Sequence, residues 1–454
     1  MITPLPAIDV PSPARTVIQL LEDAGFEAWC VGGFVRDAVM GRPAHDVDLA
    51  SNASWQQLKA LCDSAGIPVR EIGVKHGTLT VLLEGEALEV TTYRIDGAYS
   101  DGRHPDQVSA ARNIEEDLKR RDFTINAMAY HPERGLLDPF GGQRDIEAGV
   151  IRTVGNPRER FKEDALRILR ACRFVSQLGF QMDEATFQAA LSQKSLLGGV
   201  AVERMRDEME RFLLGAHVHD ALLGTVDILA FPFPELVAMK GCQQHTPYHI
   251  YDVLEHTAWA VQNIAADPIL RWTMLFHDMG KPGAKFEGPD GISHFYGHAK
   301  ISVTLAAAVM ERLGFSNHRQ AQILALVKRH DDVIEPQRRP VRRALSRLEG
   351  KPELFRKLCA VKKADASAQA PQCAPRMQLA DQLVQVMEAV LAEGEAFSLK
   401  SLAANGRDAM DAGIPQGPAV GEALSAALEA VIEGALPNQR EELLAFLQNW
   451  AIGR

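Results

Sequence analysis

The chain has 454 residues, 46% hydrophobic and 24% charged, with 49 basic against 59 acidic side chains and a net charge of −10. At about 100–200 residues per domain this length holds roughly two to four domains, and the composition excludes a disordered or collagen-like chain. The acid balance argues against a protein that coats itself in nucleic acid. The six cysteines are scattered and never spaced CxxC, so neither a disulfide framework nor a zinc ribbon is expected. No apolar run approaches a membrane span, and the N-terminus has no basic segment leading into an apolar one. A cytoplasmic protein with no membrane partner is expected.

In chain order, residues 14–25 have the periodicity of an amphipathic helix, with Val17, Leu20 and Leu21 apolar and Gly25 ending it. Ala28 to Val31 is a short strand broken by Gly32-Gly33, and a helix follows over about 34–40. Asp46 to Ala50 alternates as a strand, and Thr78–Leu83 with Ala87–Tyr93 reads as a hairpin. After about residue 155 helical periodicity takes over, with helices expected over 160–178, 201–214, 251–264, 301–313, 319–330, 375–392 and 420–433. The fold class is therefore α+β: a small α/β head with a mixed sheet, then an elongated all-helical body. The boundaries expected are 1–150 for the head, 151–245 for a helical neck, 246–370 for a metal-binding helical domain and 371–454 for a C-terminal region.

The first chemistry lies in Val31-Gly32-Gly33-Phe34-Val35-Arg36-Asp37, followed by Asp46-Val47-Asp48. Two glycines between strand and helix let the backbone approach a phosphate, and Arg36 in the first turn can reach the same anion. On a strand, residues i and i+2 share a face, so Asp46 and Asp48 can share a Mg²⁺ with phosphate oxygens and water. Glu89, on a strand that can run beside them, is either a third carboxylate or a structural strand charge. Lys119-Arg120-Arg121-Asp122-Phe123-Thr124-Ile125-Asn126-Ala127 comes next, then Glu163-Asp164-Ala165-Leu166-Arg167-Ile168-Leu169-Arg170. On a continuous helix, steps of three residues put Arg167, Arg170 and Arg173 on an arc of about 120°, with Asp164 at its edge. Such an arc is either a solvated face or a binding face.

Taken together, GGFVRD, DVDLA, RRDFTINA and EDALRILR resemble the class II tRNA nucleotidyltransferase family, which includes CCA-adding enzymes and bacterial poly(A) polymerases. The resemblance covers about the first 240 residues. It implies that Gly33 and Arg36 contact the incoming nucleotide, that Asp46 and Asp48 hold a catalytic Mg²⁺, and that Arg121 binds phosphate. It implies that Asp164 and Arg167 form a protein template for the base edge of CTP or ATP, with Arg170 and Arg173 completing the nucleotide contacts. Residues 95–108 correspond to the family's flexible loop, with Asp101 and Arg103 as its working residues. The partners implied are the tRNA 3′ end, CTP and ATP. A poly(A) polymerase or a partial, A-only or CC-only, adder shares the same head motifs.

A second constellation is His256, then His277-Asp278, then Asp365, with His298 and His330-Asp331 as further ligand types. Imidazole and carboxylate donors suit a divalent transition metal or Mg²⁺. The pattern resembles the HD phosphohydrolase domain, which implies metal-assisted hydrolysis of a phosphoester such as a terminal or 2′,3′-cyclic phosphate. An HD hydrolase with a merely nucleotide-binding head is the alternative from another class. The densest basic run, Arg338, Arg339, Arg342, Arg343, Arg347 and Lys351 with Lys328-Arg329 upstream, is either a solvated face or an RNA-backbone contact. Either a monomer or a homodimer is compatible with the sequence.

Overall fold

The structure is a computed structural model and describes residues 8–44, 46–74, 77–96, 108–111 and 113–453. The expected loop residues Asp101 and Arg103 lie outside the described residues. The chain divides into two compact units, Met1–Phe212 with Asp227–Pro232, and Leu213–Val226 with Phe233–Arg454.

The first unit is built on strands β1 (Ala28–Val31), β2 (Asp48–Ser51), β3 (Val69–Arg70), β4 (Thr78–Leu83) and β5 (Glu86–Thr92). A ribbon of β6 (Arg94–Asp96) and β7 (Val108–Ala110) stands apart, and β8 (Ala129–His131) and β9 (Gly135–Leu137) complete the sheet. The seven-stranded order is β3-β4-β5-β2-β1-β8-β9, antiparallel throughout except for the parallel pair β2 and β5. The sheet is mixed, as its sequence implied. The β4–β5 turn is Glu84-Gly85, both with positive φ, the geometry whose twist matches the flanking strands.

One sheet face carries Leu49, Leu79, Val81, Leu88 and Val90 in a core shared with Val17 and Leu21 of helix α1 (Ser12–Asp23). Leu58 and Cys62 of the helix Trp55–Ser64 join it; that helix starts at a capping box between Ser54 and Gln57. The opposite face buries Trp29, Val31 and Ala50 against Ile114 and Leu118. Because side chains alternate, this second face also receives Asp48 and Glu89.

Two expectations are corrected here. Asp46 is not on a strand: β1 ends at Val31, which pairs with Asp48, and the chain turns away at Gly32, so Asp46 has no ladder partner. The helix expected over 160–178 is two helices, Pro157–Glu163 and Leu166–Leu178. Asp164 between them is extended (φ −144°, ψ 105°), and its Oδ1 accepts from the Leu166 amide at 3.0 Å. A short carboxylate competes for backbone donors this way and so favours a helix start over a helix interior.

The second unit is helical apart from a hairpin pairing Phe286–Glu287 with Ser293–His294. Val341, Leu345, Phe355, Leu358, Leu383 and Met387 form one core, and Ala423, Ala427, Val431, Leu443 and Leu447 another. No helix among the described residues is long and apolar enough to cross a membrane.

Candidate functional site

Every described residue that the sequence nominated in the first unit lines one cavity of about 850 Å³: Gly33, Arg36, Asp46, Asp48, Glu89, Arg121, Asp164, Arg167, Arg170 and Arg173. Asp46 enters from the segment before β2 rather than from the strand, yet reaches the same space. Asp48 and Glu89 are direct partners across the parallel β2–β5 pair. Crowding in the cavity wall pushes the Asp48 carboxyl up to about 6, first through lost solvation, then through repulsion from Glu89, with Arg121 pulling the other way. A cation among these oxygens would relieve that repulsion, and carboxylates are hard donors that suit Mg²⁺. The three do not, however, bring their oxygens within 4.8 Å of one another as a group.

Gly32 is required by space as well as by backbone. Its φ is +72°, and a Cβ there would stand 3.3 Å from Arg121 Nη1 and 3.6 Å from Asp48 Oδ2. Arg36 donates to both oxygens of Asp37 at 2.9 and 3.0 Å and to Asn126 Oδ1 at 2.8 Å. Arg121 donates to buried Asp117 at 3.2 Å.

The two residues of the expected template hold partners on different elements. Asp164 pairs with Arg204 at 2.9 Å, while Arg167 donates to Glu163 at 2.7 Å and to the Arg120 carbonyl at 3.1 Å. Arg170 is bound to Asp122, and buried Arg173 to Glu208 at 3.2 Å. Burial lowers the Arg173 guanidinium to about 10 against the pull of Glu208. Phe174 is where the guanidinium groups meet: Arg173, Arg36 and Arg170 lie 4.4, 5.4 and 5.7 Å from its ring centre.

Sequence reasoning missed Arg204, Arg211, Gln177 and Asn126, which line the same cavity. Arg204 and Arg211 are seven residues apart on the helix Val202–Leu213, two turns on one face, and that spacing was the available signal. With them eight arginines and five carboxylates line the cavity, and Arg36, Arg121, Arg167 and Arg173 also meet Asp37, Asp117, Glu163 and Glu208 just outside the lining.

In the second unit the structure also gathers the expected ligands. His256 Nε2 lies 3.0 Å from Asp365 and 3.3 Å from Asp278, and His277 Nε2 lies 3.2 Å from Asp278. His298 and His330 approach the other oxygen of Asp278 at 3.4 and 3.6 Å. Each of the four imidazoles directs Nδ1 at a backbone carbonyl, those of Ala368, Met274, Phe295 and Val327. With Nδ1 as donor, the four Nε2 lone pairs face inward, in pairs 3.3 Å (His256–His277) and 3.1 Å (His298–His330) apart. Two acceptors facing each other need a proton or a cation between them. The buried carboxylate of Asp278 lies between the pairs, with the Lys281 ammonium 2.7 Å away. The donor set fits one or two divalent metals.

The basic run is largely neutralised within the protein. Arg338 pairs with Glu393 and Glu395, Arg339 and Arg343 with Glu433, and Arg342 with Glu395 at 3.3 Å.

Three family descriptions match the chain: Poly A polymerase head domain over residues 28–152, probable RNA and SrmB-binding site of polymerase A over 179–239, and tRNA nucleotidyltransferase domain 2 (putative) over 292–447. The CCA-adding enzyme of Lactiplantibacillus plantarum is 33% identical over 436 residues, covering 95% of each chain. That of Geobacillus thermodenitrificans is 36% identical over 452 residues, covering 96% of each. Among solved structures, the Bacillus stearothermophilus CCA-adding enzyme in complex with CTP superposes with a TM-score of 0.71 at 30% identity, covering 98% of this chain and 99% of that one. Likeness of this extent, running through both units, places the chain in the class II family of CCA-adding enzymes and poly(A) polymerases.

Proposed function

We propose that the first unit adds C, C and A to the 3′ end of tRNA from CTP and ATP, releasing pyrophosphate, with no nucleic-acid template. The observation that carries this reading is the single cavity in which the Asp46, Asp48 and Glu89 carboxylates share a space with Asp164 and Arg167. Arg36 and Arg121 line the cavity and are the side chains that would hold the triphosphate. When bound at Asp46 and Asp48, Mg²⁺ supplies the charge that favours an attacking 3′-hydroxyl and a leaving pyrophosphate. Arg167 donates and Asp164 accepts, which matches the acceptor ring nitrogen and the exocyclic amine of both C and A. G and U present the reverse pattern. The test uses tRNA ending at its discriminator base, with CTP and ATP supplied singly and together and the 3′ ends read. CCA only with both nucleotides supports the reading, and long tails with ATP alone would make the chain a poly(A) polymerase.

A second reading concerns the other unit. The facing imidazole pairs around Asp278 support a metal-dependent phosphohydrolase that acts on a terminal phosphate or 2′,3′-cyclic phosphate. The chain's own residues hold Nε2 and carboxylate oxygens preorganised by their Nδ1 hydrogen bonds. Replacing His277 and Asp278 should abolish cyclic-phosphate hydrolysis and leave nucleotide addition in place.

A further inference from the structure

A cavity of about 260 Å³ in the second unit reaches the imidazole and carboxylate cluster from one side. His330 and Asp365, one from each end of the cluster, form its inner wall. Ile334, Leu379 and Leu383 give it an apolar side, Lys362 and Arg376 are its basic groups, and Asp331 and Asp332 also line it. The volume lies below the ~300–1,000 Å³ of sites that engulf a drug-sized ligand, so the occupant is small, with a charged end inward and an apolar face outward.

The two basic groups differ in what they have left to offer. Lys362 is half-buried and donates to the His330 and Asp332 carbonyls at 2.8 and 2.5 Å, which fixes the turn after His330. Arg376 is exposed and has no acidic partner among the described residues. It donates one Nη1 hydrogen bond to Gln369 Oε1 at 2.8 Å, and its guanidinium lies 5.1 Å from the centre of the Tyr248 ring. The other face of Gln369 is equally defined: Nε2 donates to both oxygens of Asp365 at 3.2 and 3.3 Å. Turning the amide over would set its oxygen against the carboxylate and its N–H against the guanidinium, so the orientation is fixed by chemistry. Asp365, Gln369, Arg376 and Tyr248 thus form one chain from cluster to rim, and it leaves Nε and Nη2 of the arginine open.

We propose that Arg376 is the phosphate-binding residue of this second site, held in place by Gln369 and Tyr248, and that the ligand is a phosphate ester that enters the cavity by its phosphate end. A planar fork with open donors suits two phosphate oxygens, which a lysine cannot engage in the same way. The proposal rests on the phosphohydrolase reading, and its test separates the two.

The full-length protein, loaded with Mn²⁺, is assayed on adenosine 2′,3′-cyclic phosphate, and binding of inorganic phosphate is measured by calorimetry. Arg376→Ala should raise KM and weaken phosphate binding roughly tenfold or more, as expected for a lost charged hydrogen bond. kcat should change less than KM, and the melting temperature should stay at the wild-type value. Arg376→Lys should recover part of the phosphate affinity. Wild-type hydrolysis with KM and phosphate binding unmoved in Arg376→Ala would overturn the role of Arg376 alone. No hydrolysis by the wild type with Mn²⁺, Ni²⁺ or Mg²⁺ would overturn the phosphohydrolase reading and the proposal with it.

Discussion

Arg170 donates from Nε at 2.7 Å and Nη2 at 2.5 Å to the same oxygen of Asp122, while the other oxygen accepts from the Phe123 amide at 2.8 Å and from Asn126 at 3.2 Å. Burial works against this carboxylate, but Arg170 and Arg167 hold its pKa down from 3.8 to about 2. A lowered carboxyl stabilises the fold above its unfolded pKa, and that stability is lost as pH falls through the folded value. A shift of this size corresponds to about 2 kcal/mol. Asp122→Asn should therefore lower unfolding stability at pH 7 by about that amount, with the gap closing between pH 3.8 and 2. Urea unfolding across that range checks it, and a gap independent of pH would contradict it.

Selection of the base is expected to depend on Arg167 more than on its neighbours. Arg167→Ala should cut the preference for CTP over UTP, measured as the ratio of kcat/KM values, by roughly ten- to a hundredfold, the worth of one good paired contact. Arg204→Ala removes the partner of Asp164 and should raise KM for CTP and ATP alike. Single-nucleotide incorporation distinguishes the two outcomes.

Gly32→Ala tests the close approach at the start of the helix Gly33–Val39. At φ 72° and ψ −135° Gly32 holds a conformation that costs an L-residue about 1–3 kcal/mol, and the added methyl would press on Arg121 and Asp48. Nucleotide addition should fall much further than thermal stability, because the displaced groups face the cavity.

Metal binding in the second unit should release protons. Burial opposes charge on His256, but Asp278 and Asp365 raise its pKa to about 9, so without metal it carries a proton at neutral pH. A metal needs that Nε2 lone pair free. Apparent Mn²⁺ affinity should thus strengthen as pH rises from 6 toward 9, and chelation should lower the melting temperature more at pH 8 than at pH 6. Calorimetry in two buffers of different ionisation enthalpy measures the proton count.

The paired arginines should contribute little to RNA affinity. Replacing Arg339 and Arg343 removes groups that already face Glu433, so the slope of log K against log salt for tRNA should stay constant. A slope smaller by about 1 per residue would show phosphate contact instead.

The head was legible because its chemistry is local: GG, DxD and the following motifs lie on short segments whose strand and turn signals agree with their roles. What failed was continuity. Periodicity over 160–178 reads as one helix because Phe161 before the break and Ala165, Ile168 and Leu169 after it keep the apolar face in phase. The extended Asp164 leaves no mark on such a pattern. Arg204 and Glu208 were equally hidden, because their meaning comes from Asp164 and Arg173, forty and thirty-five residues away. The four imidazoles were visible as residue types. Their inward direction was not, since it depends on which backbone carbonyls Nδ1 meets.

The parallel pairing of β2 with β5 has a consequence for assembly. Glu89 faces the cavity only while Leu88 and Val90 face the core, and strand side chains alternate without exception along this stretch. A slip of one residue would bury a glutamate beneath the sheet and push a leucine or valine into the cavity. The same greasy residues that drive the head to fold therefore proofread its chemistry: a misaligned strand is rejected as unstable before it can exist as a faulty enzyme.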